Sequence, residues 1–428
     1  VLIEVHRRKE KPKIVTLNIP SVEKNYFCKA ITQPVNQPGN PSAPRLKAIV
    51  SVTNDLTTDQ RVDRSCRTLY KEGFDVLLVG RQLPGSKLLV SRPYRMHRMH
   101  LLFKKGAFFY AEYNFRLFLF LLFRKADLLF SNDTDTLPAN YMVYRIKCVL
   151  RKRSAPPLLH LHDCHEYFRG VPELVGRKSV TKVWKRIEDL IFPRLKQIIA
   201  VNESVARLYQ AEYLVNIKVV RNVPFRKSAE KAGSKRLPGI AAHQKILLYQ
   251  GAVNIGRGIE EAVLAMKYLK TDAVLLIAGI GDISGTIASL VAENNLKEKV
   301  MLLGQVPFQE LHAITMTADL GLSIEKDVSL NYHFALPNKF LDYIQARIPV
   351  LVSPFPEMSA IVDRYRIGEF IVSHQPEELA RQMDELLQDQ EKMAQFRRNM
   401  EQASADLCWE NEEQILLGVI RETATFIT

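Results

Sequence analysis

The sequence predicts an α/β protein of two doubly wound domains facing each other across a cleft. Three observations carry the prediction. Short, nearly continuous apolar runs alternate with longer amphipathic ones along most of the 428 residues, as expected of parallel strands covered by helices on both faces. The rhythm halts in a basic stretch containing Pro, Gly and Ser, Pro224–Pro238, and then restarts. The length also exceeds what one ordinary core fills and suits two or three domains.

In order, Lys47–Thr53 (KAIVSVT) is a β-branched strand candidate, followed by a helical pattern over Asp59–Glu72 that stops at Gly73. Asp75–Gly80 (DVLLVG) is a second buried strand, and an aromatic helix follows over Phe108–Phe123. Asp127–Ser131, a helix near Pro138–Leu150, a strand at Pro157–Leu161, a long helix over Val180–Leu195 and Gln197–Val201 complete the first unit. Strand candidates of the second are Lys245–Gln250, Ala273–Ala278, Val300–Leu303, Leu320–Ser323 and Pro349–Ser353, and a last helix covers Trp409–Ala424. The expected divisions are a basic, Pro-rich tail (1–45), a first domain (46–222), a linker (223–243), a second domain (244–405) and a C-terminal helix (406–428) packing back on the first domain. Ligands of such sheets bind beyond the C-terminal strand ends, here the cleft.

Composition excludes a disordered, collagen-like or polytopic membrane protein: 47% of residues are hydrophobic and 25% charged. Five scattered cysteines form no CxxC pair, which argues against a disulfide framework and for a reducing compartment. No secretory signal is expected in the tail, and Leu101–Phe130 is too often interrupted by charge to span a bilayer. The net charge of +14 is lopsided: residues 1–222 hold 39 Lys and Arg against 19 Asp and Glu. A half this basic faces a polyanion. Nucleic acid is not expected, because no nucleic-acid motif accompanies the charge.

Four motifs suggest chemistry. The loop Gly279-Ile280-Gly281 follows a strand, but Ser284 stands where a dinucleotide fold needs its third glycine. His160-Leu161-His162-Asp163-Cys164-His165-Glu166 resembles a metal cluster, yet no complementary ligand set exists elsewhere. Asp133-Thr134-Asp135 could hold a divalent ion or simply cap a turn. The fourth fits best. Gly251 to Gly258 reads as a glycine-bearing loop that brings Arg257 to a helix start, a place for a diphosphate. In the helix begun by Pro337, Lys339 lies in the first turn and Asp342 shares its face. That pair suits a phosphate and a ribose diol, or else a plain i,i+3 ion pair.

From Lys245 to Ile371 the chain resembles the donor domain of GT-B glycosyltransferases, two Rossmann-like domains, specifically the retaining family 4 or "group 1" enzymes. The resemblance rests on Gly251–Gly258, on Val300–Val306 (VMLLGQV) and on "PNKFLDYIQARIPVLVS". Trp409-Glu410 is similar to the family's terminal helix, and Asp59–Val62 with "HDCHEYF" (His162–Phe168) are similar to transferases of bacterial surface-polysaccharide clusters. The resemblance implies that Arg257 and Lys339 hold the diphosphate of a nucleotide-sugar co-substrate, with no metal or other cofactor required. Asp342 would contact the ribose, and His162 would lie near the transferred sugar as a catalytic group. Gly251, Gly258, Gly281, Gln305, Val306 and Asn338 would complete the donor site, and Asn54, Asp59, Arg61, Asp133, Asp163, His165 and Glu166 the acceptor side. The sequence departs from the family at Phe334, where the first Glu of its E-x7-E motif would fall.

The resulting expectation is a retaining transferase acting on a lipid-linked or saccharide acceptor. A non-catalytic sugar-nucleotide-binding subunit is the alternative. Residues 92–125 combine Arg92, Arg95, Arg98, Lys104, Lys105, Arg116, Arg124 and Lys125 with Phe103, Phe108, Phe109, Tyr110, Phe115, Phe118, Phe120 and Phe123. The aromatic helix alone fits core burial as readily as lipid contact, but its basic flank is not explained by packing. Peripheral docking on an anionic membrane, at the cytoplasmic face of the inner membrane, is therefore expected.

Overall fold

The computed structural model describes residues 45–425 apart from 58, 153–155, 172, 173, 175 and 228–236. The basic tail and the middle of the expected linker lie outside the described residues. Two parallel sheets organise the chain. The first domain runs β1 (Lys47–Ser51), α1 (Gln60–Lys71), β2 (Asp75–Arg81), β3 (Arg95–Met99), α2 (Gly106–Leu122), β4 (Leu128–Asn132), α3 (Asp133–Leu150), β5 (Leu159–Cys164), α4 (Lys178–Ile191), β6 (Gln197–Ala200), α5 (Glu203–Tyr213) and β7 (Ile217–Val219). Its seven strands lie in the order β3-β2-β1-β4-β5-β6-β7.

The second domain runs β8 (Lys245–Gln250), α6 (Ile259–Ala265), β9 (Ala273–Ala278), α7 (Ser284–Glu293), β10 (Val300–Gly304), α8 (Phe308–Thr315), β11 (Leu320–Ser323), α9 (Leu330–His333), α10 (Asn338–Gln345), β12 (Val350–Val352), α11 (Pro356–Tyr365) and β13 (Gly368–Phe370). Three helices follow: α12 (Pro376–Gln388), α13 (Gln390–Asp406) and α14 (Trp409–Thr425). The six strands lie in the order β10-β9-β8-β11-β12-β13. Both orders reverse direction at the first strand of the unit, the doubly wound pattern whose switch point receives ligands.

The central strands are apolar on both faces because helices cover both; every residue of β4 and β9 is buried. Helix α14 leaves the second domain and closes the first. Trp409 is wholly buried among Val62, Leu69 and Ile420, and its indole N–H donates to Thr68 Oγ1 at 3.1 Å.

Strand β3 was not expected. Its sequence, RMHRM, is basic where strands are usually apolar, which an edge strand tolerates because one margin meets water. Its arginines are tied down. Arg98 is paired with Asp55 at 2.6 Å, Arg95 with Asp75 at 2.8 Å, and Arg92, just before the strand, lies 3.5 Å from Asp63. These three cations are therefore structural, which corrects the expectation that the whole 92–105 segment is free for a membrane. Among the described residues no helix is long and apolar enough to cross a bilayer.

Candidate active site in the interdomain cleft

The C-terminal strand ends of the two sheets enclose a cleft of about 580 Å³. Hydrogen bonds bridge it: Asn202 Nδ2 to Phe334 O at 2.7 Å, Asn222 Nδ2 to Asn338 Oδ1 at 3.0 Å and Asn331 Nδ2 to Glu166 Oε2 at 3.1 Å.

On the second-domain wall, β8 delivers Tyr249 and Gln250, and the backbone then turns through Gly251 to Arg257. Glycine is required at two points of this wall. Gly258, at φ +74°, would place a Cβ 2.2 Å from Ile324 O, and Gly279, at φ +154°, would place one 1.8 Å from Gly251 O. Both allow the loop to lie flat on the strand ends, so that Arg257 is presented to the cleft. Lys339, in the first turn of α10, reaches the same place and lies 4.6 Å from the Tyr249 ring centroid. Arg257 lies over the Tyr332 ring at 4.5 Å.

The two cations share one carboxylate. Glu325, two residues past the end of β11, is fully buried; it pairs with Lys339, and its Oε1 stands 3.6 Å from Arg257 Nη1. Ser323 Oγ donates to the other carboxylate oxygen at 2.9 Å. Burial opposes ionisation of Glu325, but Lys339 and Arg257 outweigh it and hold the carboxyl below its usual range. Burial pushes Lys339 down, with Glu325 opposing and Arg257 adding to the effect. Two positive charges against one negative leave a net positive charge at the cleft wall. Sequence reasoning missed Glu325. Its signal was an acidic residue at the carboxyl end of an apolar strand, where doubly wound sheets keep their chemistry.

Asp342 is not among the cleft-lining residues: its carboxylate accepts from Gln250 Nε2 at 3.2 Å and lies 3.5 Å from Lys227 Nζ. Burial pushes its carboxyl up, Lys227 opposing. Asn338 and Gly251 line the cleft. Gly258 and Gly281 support the loops instead, the Gly281 N–H donating to Ser284 Oγ at 2.8 Å. Gln305 and Val306 follow β10 at the sheet edge and are not among the cleft-lining residues.

On the first-domain wall β5 continues to Cys164, three residues beyond the predicted end. His160 and His162 thus become strand residues on one face, both 3.0 Å from Ser131 Oγ. Phe192 packs edge-on against His162, which is fully buried, and burial pushes its imidazole down to about 4. The expected catalytic group is a neutral histidine beneath the cleft and does not line it.

His165 lines the cleft instead. Its ring lies 3.3 Å from Asp163, 3.4 Å from Asp133 and 3.1 Å from Asn132 Oδ1. Burial disfavours the charged ring, but the two carboxylates prevail and push it up to about 10, so it is an imidazolium at neutral pH. Arg61 grips Asp163 with two hydrogen bonds of 2.8 and 2.7 Å, which hold that carboxylate in place from behind. Asp59 caps α1 by accepting from Val62 N at 3.1 Å, with Asn54 Nδ2 3.4 Å away. Arg61, Asp59, Asn54, Asp133 and Asp163 are therefore not cleft-lining residues; His165 and Glu166 are. Asp135 turns from Asp133 to accept from Thr53 Oγ1 at 2.6 Å.

Two domains of this topology around such a cleft are the GT-B fold of glycosyltransferases. Residues 233–403, which take in the second domain, match the family described as glycosyl transferases group 1. The structure is similar to sucrose-phosphate synthase from Thermosynechococcus elongatus (TM-score 0.68, 18% identity, 89% of this chain and 99% of that one). It also resembles HepE of Anabaena in complex with UDP and glucose (TM-score 0.64, 12% identity, 88% and 100%). In sequence, 75 residues are 39% identical to N-acetylgalactosamine-N,N'-diacetylbacillosaminyl-diphospho-undecaprenol 4-alpha-N-acetylgalactosaminyltransferase of Campylobacter jejuni, covering 18% of this chain and 20% of that protein. A further 26% identity over 162 residues relates it to an uncharacterized glycosyltransferase of Methanocaldococcus jannaschii, 37% of this chain and 40% of that one. The chain thus spans a fifth and two fifths of these curated relatives.

Proposed function

We propose that the chain is a retaining glycosyltransferase that moves a sugar from a nucleotide-diphosphate sugar to a lipid-linked or saccharide acceptor in cell-surface polysaccharide or glycolipid synthesis. The observation that carries this reading is the unbalanced pair, Arg257 and Lys339 over the single carboxylate of Glu325. A diphosphate leaving group gains negative charge as the glycosidic bond breaks, and fixed cations aimed at it are worth most in a site that excludes water. The family resemblance implies attack on the face from which the leaving group departs, a phosphate oxygen taking the acceptor proton, without a metal. The His165 imidazolium, opposite, has its ring nitrogens engaged by Asn132, Asp163 and Asp133 and brings a fixed positive charge to the facing wall. The UDP and glucose in the Anabaena structure and the diphospho-undecaprenol in the Campylobacter name support the donor and acceptor classes. Such an acceptor would put the enzyme peripherally at the cytoplasmic face of the inner membrane.

Phe334 favours one rival, a subunit that binds sugar nucleotide without transfer, because an apolar ring occupies the cleft wall where the family keeps its sugar-facing Glu. Turnover separates the two. Arg257→Ala and Lys339→Ala should each lower kcat about 10²–10³-fold and change donor affinity less. Wild-type transfer or donor-hydrolysis rates in both variants would defeat the proposal.

A further inference from the structure

We propose that the first domain carries a lipid-phosphate site where β2 and β3 end, set beside an apolar helix face that enters the same leaflet. The occupant is an anionic phospholipid of a bilayer. A pocket of about 190 Å³ lies between the residues following the two strands, with Arg81 on one side and His100, Phe103 and Lys104 on the other. No acidic residue lines it. The Arg81 guanidinium is fixed by stacking 4.2 Å over Phe109 and by donating to Lys104 O at 3.2 Å, while its buried Nε has no hydrogen-bond partner. A preformed cationic pocket of this kind suits a phosphate.

The neighbouring helix supplies the second observation. Phe109, Tyr113, Leu117 and Leu121 of α2 are buried in the first domain. A surface helix ordinarily turns polar residues outward, but here Phe108 (71% exposed), Phe115 (63%) and Leu119 (37%), with Phe123 (81%) at the cap, form an apolar stripe. Their spacing of seven, four and four keeps them on one face. The loop before α2 adds Leu102 and Phe103, the latter stacked on Phe108 at 5.3 Å. Glu112, the acidic residue of α2, accepts from the Leu102 and Phe103 amides and pairs with Arg116. It holds the loop in place and leaves the surrounding Lys104, Lys105, Arg124 and Lys125 to set the charge. Apolar side chains ringed by cations complement an anionic leaflet.

Position connects the surface to the cleft. The pocket residues follow β2 and β3, and His165 follows β5, on the same C-terminal side of one sheet. Three strand spacings separate β2 from β5, about 14 Å. A leaflet seated here lies next to the cleft mouth, so the inference deepens the lipid-linked branch of the proposed function and rests on that reading only for its purpose.

The test is co-sedimentation of the full chain with vesicles of phosphatidylcholine alone or with 30 mol% phosphatidylglycerol (roughly the anionic content that gives a strong surface potential). Preferential recovery on the anionic vesicles is expected. The double variant R81Q/K104Q should lower that recovery constant roughly 25-fold, about fivefold per lost charge. The triple variant F108S/F115S/F123S should lose binding to both vesicles. Equal recovery on both compositions, an unchanged preference in R81Q/K104Q, or a dimer in vesicle-free solution that the triple variant dissolves would overturn the proposal. A thermal shift with UDP, read at the second-domain wall of the cleft, shows that the variants are folded. A wild-type chain that binds anionic vesicles without any nucleotide shift would instead refute the donor reading.

Discussion

Lys339 and Glu325 form a buried ion pair, and Arg257 Nη1 stands 3.6 Å from the same carboxylate oxygen, so one carboxylate restrains two like charges. The arrangement is left one negative charge short, which is the property a diphosphate site needs.

Replacing Glu325 by Gln should expose that shortage. With the carboxylate gone, Lys339 and Arg257 repel each other in a buried setting, and removing one partner of such a pair costs about 3–5 kcal/mol. The melting temperature should fall, and saturating nucleoside diphosphate should restore part of it. Thermal denaturation with and without UDP or GDP reads the effect. A ligand-induced shift no larger in Glu325→Gln than in the wild type would show that the carboxylate does not balance these cations.

His165 and His162 should respond to pH in opposite directions. The folded-state value of His165 is raised to about 10, above the ordinary 6.5. Its stabilisation is therefore full below pH 6.5 and is lost as pH rises towards 10. That of His162 is lowered to about 4, so it destabilises the fold as pH falls from 6.5 towards 4. Urea unfolding at pH 5, 7 and 9 should show the penalty of His165→Gln shrinking towards alkaline pH, and His162→Asn relieving part of the acid loss. Transfer should fall in the His165 variant and persist in the folded His162 variant. A penalty for His165→Gln that stays constant from pH 5 to 9 would disprove the charged assignment.

Trp409 should act as the clasp of the returning helix. Truncation to Ala removes a buried indole and its bond to Thr68, a loss of about 3–5 kcal/mol, while Trp409→Phe keeps most of the packing. Chemical denaturation should rank wild type, Phe and Ala in that order. If the Ala variant were within about 1 kcal/mol of wild type, α14 would not be holding the first domain.

Much of this protein is determined by local pattern. Runs such as AVLLIA and KILLYQ form buried strands because strands covered on both faces need no alternation, and the break at Pro224–Pro238 separates the two sheets. Arg257 and Lys339 were legible because glycine loops and helix starts are short-range features. What the residues of the site touch was decided by tertiary structure. His162 and His165 differ by three positions, and the point at which β5 ends settles which of them is buried, since each added strand residue turns the next side chain to the other face. Asp342 and Lys339 share a helix yet find different partners, Lys227 and Glu325, because those partners arrive from other elements. Likewise β3 and the Arg92 before it look like a free cationic segment until Asp55, Asp63 and Asp75 are brought against the three arginines. Periodicity reports which face of an element is buried. It carries no information about charges that meet only when distant strands take their order in the sheet.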